Sequence, residues 1–222
     1  VLKCLIQTGD LICYDSPEYA KDMGTPERFY EVENDIINGK VKLRSLDNKQ
    51  KAIFLDRDGT LNKYVGFLRN LQDLELIDGV CDAIKKINKS EYLAVVITNQ
   101  PVIARGEVTE KELEEIHNKL ETLLGNEGAF VDAIYYCPHH PDSGFDGEIK
   151  ALKIECNCRK PKPGLLLKAA EDYNIDLEKS WMIGDSDNDV KAGEMAGCSC
   201  IKIGNKESEK NLLSAVNIII RE

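Results

Sequence analysis

No apolar run in this sequence comes near the roughly 20 residues that a helix needs to cross a bilayer. A membrane-embedded helical protein is excluded on that ground. An excess of positive charge is also missing: 29 Lys and Arg stand against 39 Asp and Glu, for a net charge of −10, and the pI is about 5.0. The basic footprint of a nucleic-acid binder is therefore absent, and an anionic substrate would need a site that is locally basic against the overall field. Residues 1–12 show neither the long apolar core nor the small-residue cleavage pattern of a signal peptide. Internal repeats and low-complexity tracts are lacking. Cysteine is not scarce, with eight among 222 residues, but the chain is too long for a small disulfide-stapled secreted fold. Cys137, Cys156 and Cys158 gather around His139, which favours a metal and a reducing cytoplasm. Cys4, Cys13, Cys81, Cys198 and Cys200 carry no signal beyond small buried residues. Hydrophobic residues at 42% and charged residues at 31% make an ordinary globular composition. The length suits one α/β domain with some extra segments.

The most informative stretch is Ala52-Ile53-Phe54-Leu55-Asp56-Arg57-Asp58-Gly59-Thr60-Leu61-Asn62. Its apolar run fills both faces of a strand, as buried parallel strands do, and ends abruptly in two acids one residue apart. Asp56 is thus expected at the carboxyl edge of a sheet, where open α/β folds bind ligands. Two acids that close repel each other unless a cation or a shared proton intervenes. Gly59 permits a tight turn beside whatever binds there. A lone Asp-Gly would read as an ordinary turn after a strand; the full D-x-D-G-T-L pattern is much more specific.

The rest of the chain supplies the frame. Thr25-Pro26-Glu27 reads as a helix start, with Thr as cap, Pro in the first turn and an acid at the positive helix end. Phe29, Val32, Ile36 and Ile37 then make an apolar face that needs a partner surface, and Gly39 stops the helix. Residues 1–45 do not read as part of the later α/β unit, residues 46–51 read as a polar linker, and residues 52–222 form the main domain. From Ala52 strands and helices alternate, which predicts a parallel sheet covered on both faces: an α/β, Rossmann-like three-layer sandwich. Expected helices include one with Val80, Ala83, Ile84 and Ile87 inward and Asp78 as candidate cap. Another runs from Thr109 to Leu124 behind a Thr109–Glu112 capping box. Two more span Leu165 to Tyr173 and Asn188 to Ala196, the last stopped by Gly197. Further strands are expected at Tyr92–Thr98, Asp132–Tyr136, Trp181–Gly184, Cys198–Ile203 and Val216–Ile220. Residues 137–163 are long, polar and rich in Pro and Gly, and a loop of that length in a compact domain needs a reason.

Three further groups carry chemistry. Thr98 ends an apolar strand, where a hydroxyl followed by open backbone N–H groups can hold a phosphate oxygen; a common Thr-Asn turn is the plain alternative. Arg159-Lys160-Pro161-Lys162-Pro163 brings positive charge on a backbone stiffened by Pro, and Arg159 can fork onto a second anionic group or sugar oxygens. Trp181-Met182-Ile183-Gly184-Asp185 is a strand ending in an acid, with Asp187 and Asp189 following. An EF-hand loop is ruled out there, because Val190 stands where the turn Gly belongs and Ala196 where the bidentate acid belongs. Cys137-Pro138-His139 and Cys156-Asn157-Cys158 offer three thiolates and an imidazole in two close pairs, a set that suits a closed tetrahedral Zn²⁺. A full ligand set leaves no open position, so such a zinc is structural and would pin the loop that carries Arg159 and Lys160.

Taken together these motifs resemble the haloacid dehalogenase-like phosphohydrolases. The resemblance covers residues 52–204 and is closest to the subgroup of D-glycero-D-manno-heptose 1,7-bisphosphate and histidinol-phosphate phosphatases. It rests on D-R-D-G-T-L-N, T-N-Q…I-A-R-G, C-P-H-H-P and C-x-C-R-K-P-K-P-G. It implies Asp56 as nucleophile, Asp58 as general acid/base and Lys160 as the neutralising cation. It also implies Mg²⁺ on Asp56, Asp185 and the main-chain oxygen of Asp58, with Asp189 orienting the lysine or its loop. Thr98, Asn99, Gln100, Arg105 and Arg159 are expected to bind substrate. Pro101 and Val102 depart from the subgroup pattern, which bears on backbone contacts after Gln100. The C-P-H-H-P match selects His139 over His140 as zinc ligand. The subgroup has almost no cap domain, and residues 62–78 and 101–108 leave no room for a large one.

A second resemblance involves Asp22-Met23-Gly24-Thr25-Pro26-Glu27, which looks like the D-x-G-T-P-E segment near the end of sugar-phosphate nucleotidyltransferase catalytic domains. It implies a piece of a two-enzyme fusion; a capped surface helix of no special origin is the alternative. The expected function is a cytoplasmic Mg²⁺-dependent phosphatase that passes through an aspartyl-phosphate, with heptose bisphosphate as first substrate and histidinol phosphate as second. The rival class is a non-catalytic, zinc-stabilised module docked to a nucleotidyltransferase, which would have no need of Asp56, Asp58, Thr98, Lys160 and Asp185 together. A different enzyme class, phosphotransfer to another acceptor, would show phosphate moving to an alcohol instead of water.

Overall fold

A computed structural model describes Thr8, Ser16, residues 18–204 and residues 211–220. Cys4, Cys13 and most of the segment tested above for a signal peptide lie outside these residues. In chain order the elements are α1 (Pro26–Ile37), α2 (Lys40–Leu43), β1 (Lys51–Leu55), α3 (Val80–Asn88), β2 (Tyr92–Asn99), α4 (Pro101–Ala104), α5 (Glu110–Asn126), β3 (Ala133–Cys137), α6 (Gly164–Asp172), β4 (Trp181–Gly184), α7 (Asp187–Ala196), β5 (Ser199–Lys202) and α8 (Leu212–Ile219). Among the described residues no helix is long and apolar enough to cross a membrane.

The five strands form one sheet in the order β3-β2-β1-β4-β5, every neighbouring pair parallel. The pleat sends alternate side chains of β1 to opposite layers. Ile53 and Leu55 meet Ile84, Ile87, Ile116, Leu120 and Val216 from α3, α5 and α8. Ala52 and Phe54 meet Leu166 and Ala169 of α6 and Ala192 of α7. Each fully buried Leu, Ile or Phe contributes about 1.5–3 kcal/mol, and β1 is buried on both faces, so its position is strongly set. Parallel strands need crossovers, and the crossovers here put helices on both sides, giving the expected three layers. The chain builds outward from β1 through β2 to β3, then returns to β4 and β5 on the other side. The tip of β1 is therefore the topological switch point, where ligands bind in open α/β sheets.

Local signals explain most boundaries. The Thr109 hydroxyl accepts from the Glu112 N–H while Glu112 reaches back to the Thr109 N–H, closing the capping box of α5. Gly197 at φ 90° stops α7. Thr25 caps α1, accepting from the Arg28 N–H at 3.4 Å. On that helix Val32 is buried, whereas Phe29, Ile36 and Ile37 face outward. Arg44, just past α2, is buried against Asp132 at 3.2 Å, and Asp132 also accepts from the Ala94 N–H.

Two local expectations are corrected. Val216–Ile220 lies not in a strand but largely in helix α8. Its β-branched run favours a strand locally, yet Leu212, Ala215, Val216 and Ile219 recur at helical spacing and are all buried, so packing overrides propensity. Asn211, whose side chain accepts from the Ser214 N–H at 2.9 Å, is the cap that marks the helix start. Asp78 does not cap α3: Gly79, at φ 82°, occupies the cap position without a side-chain bond. Where a cap domain would be inserted, residues 62–78 form only a short 3-10 turn (Leu71–Asp73) and a one-residue bridge from Asn62 to Leu76.

Candidate active site

β1 ends at Leu55, which pairs with Val96 of β2 and Ile183 of β4. The Asp56 N–H continues that ladder, donating to the Ile183 carbonyl at 3.0 Å. Three strand tips are thereby set side by side, with Asp56 after β1, Thr98 at the end of β2 and Asp185 after β4. A cavity of about 240 Å³ opens above them, and Asp56, Asp58, Thr98, Lys160 and Asp185 all line it.

Lys160 comes to this cavity from the long loop before α6. It is 3% exposed, and its Nζ donates to three acceptors: Asp56 Oδ1 at 2.6 Å, Asp189 Oδ1 at 2.6 Å and the Ile97 carbonyl at 2.6 Å. An ammonium has three N–H bonds, so every one is used. Burial lowers the lysine's proton affinity, but the two carboxylates outweigh it and hold the group charged. Asp56 is in the opposite position. Burial pushes its carboxyl up to about 7; Lys160 opposes that rise, and Asp189 and Asp58 add to it. A buried carboxylate so crowded by negative charge calls for more positive charge than one lysine supplies.

The acid oxygens of Asp56, Asp185 and Asp189 lie within 4.8 Å of one another, a spacing that fits a hard cation with oxygen ligands. Asp189 has other work: its Oδ2 accepts from Ser186 N–H at 3.0 Å and Ser186 Oγ at 2.6 Å, and its Oδ1 holds Lys160. Gly59 sits at φ +89°, and a Cβ there would overlap the Asp185 carboxylate. Gly59→Ala should therefore displace Asp185 and strain the turn by about 1 kcal/mol or more. We expect Mg²⁺ affinity, read by calorimetry, to fall at least about tenfold, with melting lowered by only a few degrees.

Asp58 faces the same cavity, but its charge is handled by a different partner. Arg57 forks onto it, with Nη2 at 3.0 and 2.8 Å and Nε at 3.2 Å, while Asn62 Nδ2 donates at 3.0 Å and Gln100 Nε2 at 2.9 Å. Burial works to raise the carboxyl; Arg57 and these donors overcome it and hold the group below the usual carboxylate range.

The residues expected to bind substrate divide into two sets. Thr98 and Arg159 line the cavity, with Arg159 Nη1 also donating to the His139 carbonyl at 3.4 Å. Asn99 and Gln100 line it too, yet their polar atoms are engaged with the protein. Asn99 clamps the Lys160 backbone in both directions at 3.0 Å. Gln100 bridges Asp58 and the Thr98 hydroxyl, the latter at 2.8 Å. Arg105 is not brought to the cavity. Its guanidinium carbon lies 4.1 Å from the Phe67 ring centroid and 4.3 Å from that of Phe145, a cation–π sandwich. The one-turn helix α4 that precedes it is buried at all four residues. Tyr64, Gly66 and Phe67 also form part of the cavity wall, and no motif marks them.

Beside the cavity, Cys137, His139, Cys156 and Cys158 converge. The sulfurs lie 3.1–3.5 Å apart, and His139 Nδ1 lies 3.3 Å from Cys158 and 3.7 Å from Cys137. The nitrogen–sulfur separations match, and the sulfur–sulfur separations are somewhat shorter than, the edges of a tetrahedron around a metal at about 2.3 Å from sulfur and 2.0–2.1 Å from nitrogen. All three cysteines are free thiols. Burial pushes the Cys137 thiol above its ordinary range, so a thiolate there needs a cation beside it. His140 points elsewhere, its ring edge-on to Phe145 and Nδ1 3.4 Å from the Asp142 carbonyl. The cluster abuts the active site because Cys137 pairs with Asn99 across β3 and β2.

Comparison with known proteins bears on the family and the class of activity. The HAD-hydrolase-like family matches residues 157–217. D-glycero-beta-D-manno-heptose-1,7-bisphosphate 7-phosphatase of Salmonella typhi is 43% identical over 145 residues, covering 65% of this chain and 75% of that one. The D-glycero-alpha-D-manno-heptose-1,7-bisphosphate 7-phosphatase of Photorhabdus laumondii is 39% identical over 165 residues, covering 73% of this chain and 88% of that one. Among solved structures, the D,D-heptose 1,7-bisphosphate phosphatase of B. bronchiseptica, in complex with magnesium and phosphate, is 31% identical. It superposes with a TM-score of 0.67 over 78% of this chain and 99% of that one. The chain belongs to the HAD-like hydrolases and is a phosphatase.

Proposed function

We propose that this protein hydrolyses the 7-phosphate of D-glycero-D-manno-heptose 1,7-bisphosphate through an aspartyl-phosphate on Asp56. The observation that carries this is the convergence of Asp56, Asp58, Lys160 and Asp185 on one cavity at the switch point of the sheet. The substrate class is supported by the names of the relatives, which include enzymes for both anomers.

In the first step an Asp56 carboxylate oxygen attacks phosphorus in line, the bond from phosphorus to the ester oxygen breaks, and Asp58, ionised at rest, takes the proton of the phosphate monoanion and passes it to the departing alkoxide. In the second, Asp58 takes a proton from water, the hydroxide attacks phosphorus, and the bond to Asp56 breaks to release phosphate. Lys160 holds Asp56 in place and offsets charge on the transferring group, and Thr98 presents its hydroxyl at the same edge. Mg²⁺ would be held by Asp56, Asp185 and the main-chain oxygen of Asp58, and when bound it supplies positive charge against the phosphoryl oxygens. Arg159, which lines the cavity, would hold the group left behind. Zn²⁺ on Cys137, His139, Cys156 and Cys158 would pin the loop that delivers Arg159 and Lys160.

Residues 1–45 are read as the tail of a nucleotidyltransferase joined through residues 46–51 to a phosphatase domain over 52–222; the outward apolar residues of α1 support that reading. A nucleotidyltransferase partner would use the sugar 1-phosphate that such a phosphatase releases. Steady-state kinetics with Mg²⁺ on heptose 1,7-bisphosphate and histidinol phosphate, side by side, test the substrate. We expect kcat/KM to favour the heptose by about 100-fold or more, since one lost charged contact is worth 2–3 kcal/mol. A preference for histidinol phosphate would replace the heptose reading, and inactivity on every phosphate ester tried would leave the docking-module alternative.

A further inference from the structure

Two acids one residue apart in sequence are given separate cations in space. Asp56 has Lys160, and Asp58 has Arg57. Arg57 is wholly buried, the largest side chain in the molecule's described residues to be so. Burying a guanidinium is unfavourable by several kcal/mol unless its N–H groups are paired. Nε and Nη2 are spent on Asp58, and Nη1 meets His117 Nε2 at 3.2 Å. A guanidinium cannot accept, so the ring nitrogen accepts and His117 is a neutral imidazole protonated on Nδ1. Burial and the Arg57 charge hold His117 down at about 4, consistent with that state. His117 lies on the inward face of α5 with Leu113, Ile116 and Leu120, so the helix packing places it.

We propose that His117 and Arg57 are a positioning pair that locks the Asp58 carboxylate in the orientation required for proton transfer. The inference rests on the acid/base role of Asp58 proposed above. His117 pairs the one arm of the guanidinium that Asp58 does not reach, and as a neutral acceptor it does not compete with Asp58 for charge. The fork then fixes the plane of the carboxylate, while Gln100 ties one of its oxygens to Thr98 at the β2 tip. The acid/base and the phosphate-binding hydroxyl are thus held in one frame, separate from the Lys160 frame around the nucleophile.

The test separates proton transfer from fold. Full-length protein with Mg²⁺ is assayed on an alkyl phosphate, whose leaving group needs a proton, and on p-nitrophenyl phosphate, whose leaving group does not. The quantity read is kcat/KM, which reports only the steps up to formation of the aspartyl-phosphate, so the later base step does not enter. General acid catalysis contributes about 10²–10⁴-fold. His117→Leu should lose about tenfold or more on the alkyl ester and less than about threefold on the aryl ester. His117→Gln, which restores an acceptor, should recover most of the loss, and Arg57→Lys, which keeps the charge without the fork, should show the same ester bias. Equal losses on both esters, no loss on either, or no recovery by Gln would overturn the proposal. Asp58→Asn distinguishes the two levels. If it shows the ester bias and His117→Leu does not, the positioning pair alone fails; if Asp58→Asn shows no bias, the acid/base assignment fails and the pair with it.

Discussion

Asp56→Asn is expected to abolish turnover, by on the order of 10⁴-fold or more, while the protein stays folded. The amide is nearly isosteric with the acid but is not a nucleophile toward phosphorus. Its effect on stability should be small for a reason visible in the site. Lys160 keeps two of its three acceptors, Asp189 and the Ile97 carbonyl, when Asp56 loses its charge. Asp56 is itself crowded, since burial raises its carboxyl and Asp189 adds to the rise. Neutralising it removes a repulsion along with an attraction, so the melting temperature should move by no more than a few degrees. The measurements are kcat with Mg²⁺ and intact-mass detection of phosphoenzyme after rapid acid quench. Wild type should trap an adduct on Asp56, and the variant should trap none. Activity within tenfold of wild type would remove Asp56 from the nucleophile's role.

Loss of the cluster of three cysteines and one histidine by mutation, tested as Cys158→Ala, should have the second largest effect. The purified protein is expected to carry about one equivalent of zinc, and the variant far less. Structural zinc ties folding to metal binding, with apparent binding free energies of about 10–16 kcal/mol in small zinc peptides. A larger domain with its own core loses only part of that. A destabilisation of more than about 3 kcal/mol is expected, or roughly 10 °C in melting temperature for a chain of this size. Activity should fall too, by about tenfold, because Lys160 lies two residues beyond Cys158 and Arg159 hangs on the His139 carbonyl. The loss should be incomplete, since Asn99 clamps the Lys160 backbone independently of the cluster. Metal analysis, thermal melts and kcat/KM on the same preparations decide it. A zinc-free preparation with unchanged melting and kinetics would show that the four side chains merely pack together.

The legible and illegible parts of this molecule differ in range along the chain. β1 was legible because a strand buried on both faces has to be apolar throughout, and Ala52–Leu55 is. The order of strand, acid and helix was legible for the same local reason at Leu55-Asp56 and Gly184-Asp185. The Thr109–Glu112 capping box needs only four consecutive residues. Val216–Ile220 misled because β-branched residues favour strands locally, whereas the face that they present is decided by β1 and α3, which come far earlier in the sequence. Arg105 misled in another way: its motif was informative, but the rings that capture it, Phe67 and Phe145, come from two distant loops.

The order of residues is enough to say which groups are available: two acids after β1, a hydroxyl after β2, an acid after β4, one lysine in a stiff loop and four soft metal ligands. Chain-local constraints of burial, turn geometry and capping were enough for that. Which charge pairs with which is settled by packing in three dimensions. Asp56 and Asp58 are neighbours with two cations in reach, and nothing in their spacing says that Lys160 takes one and Arg57 the other. That choice follows from strand register, which sets the Ile97 carbonyl under the lysine, and from α5, which sets His117 behind the arginine. Buried charges are unfavourable enough unpaired that the packing around them, not their order in the chain, selects their partners.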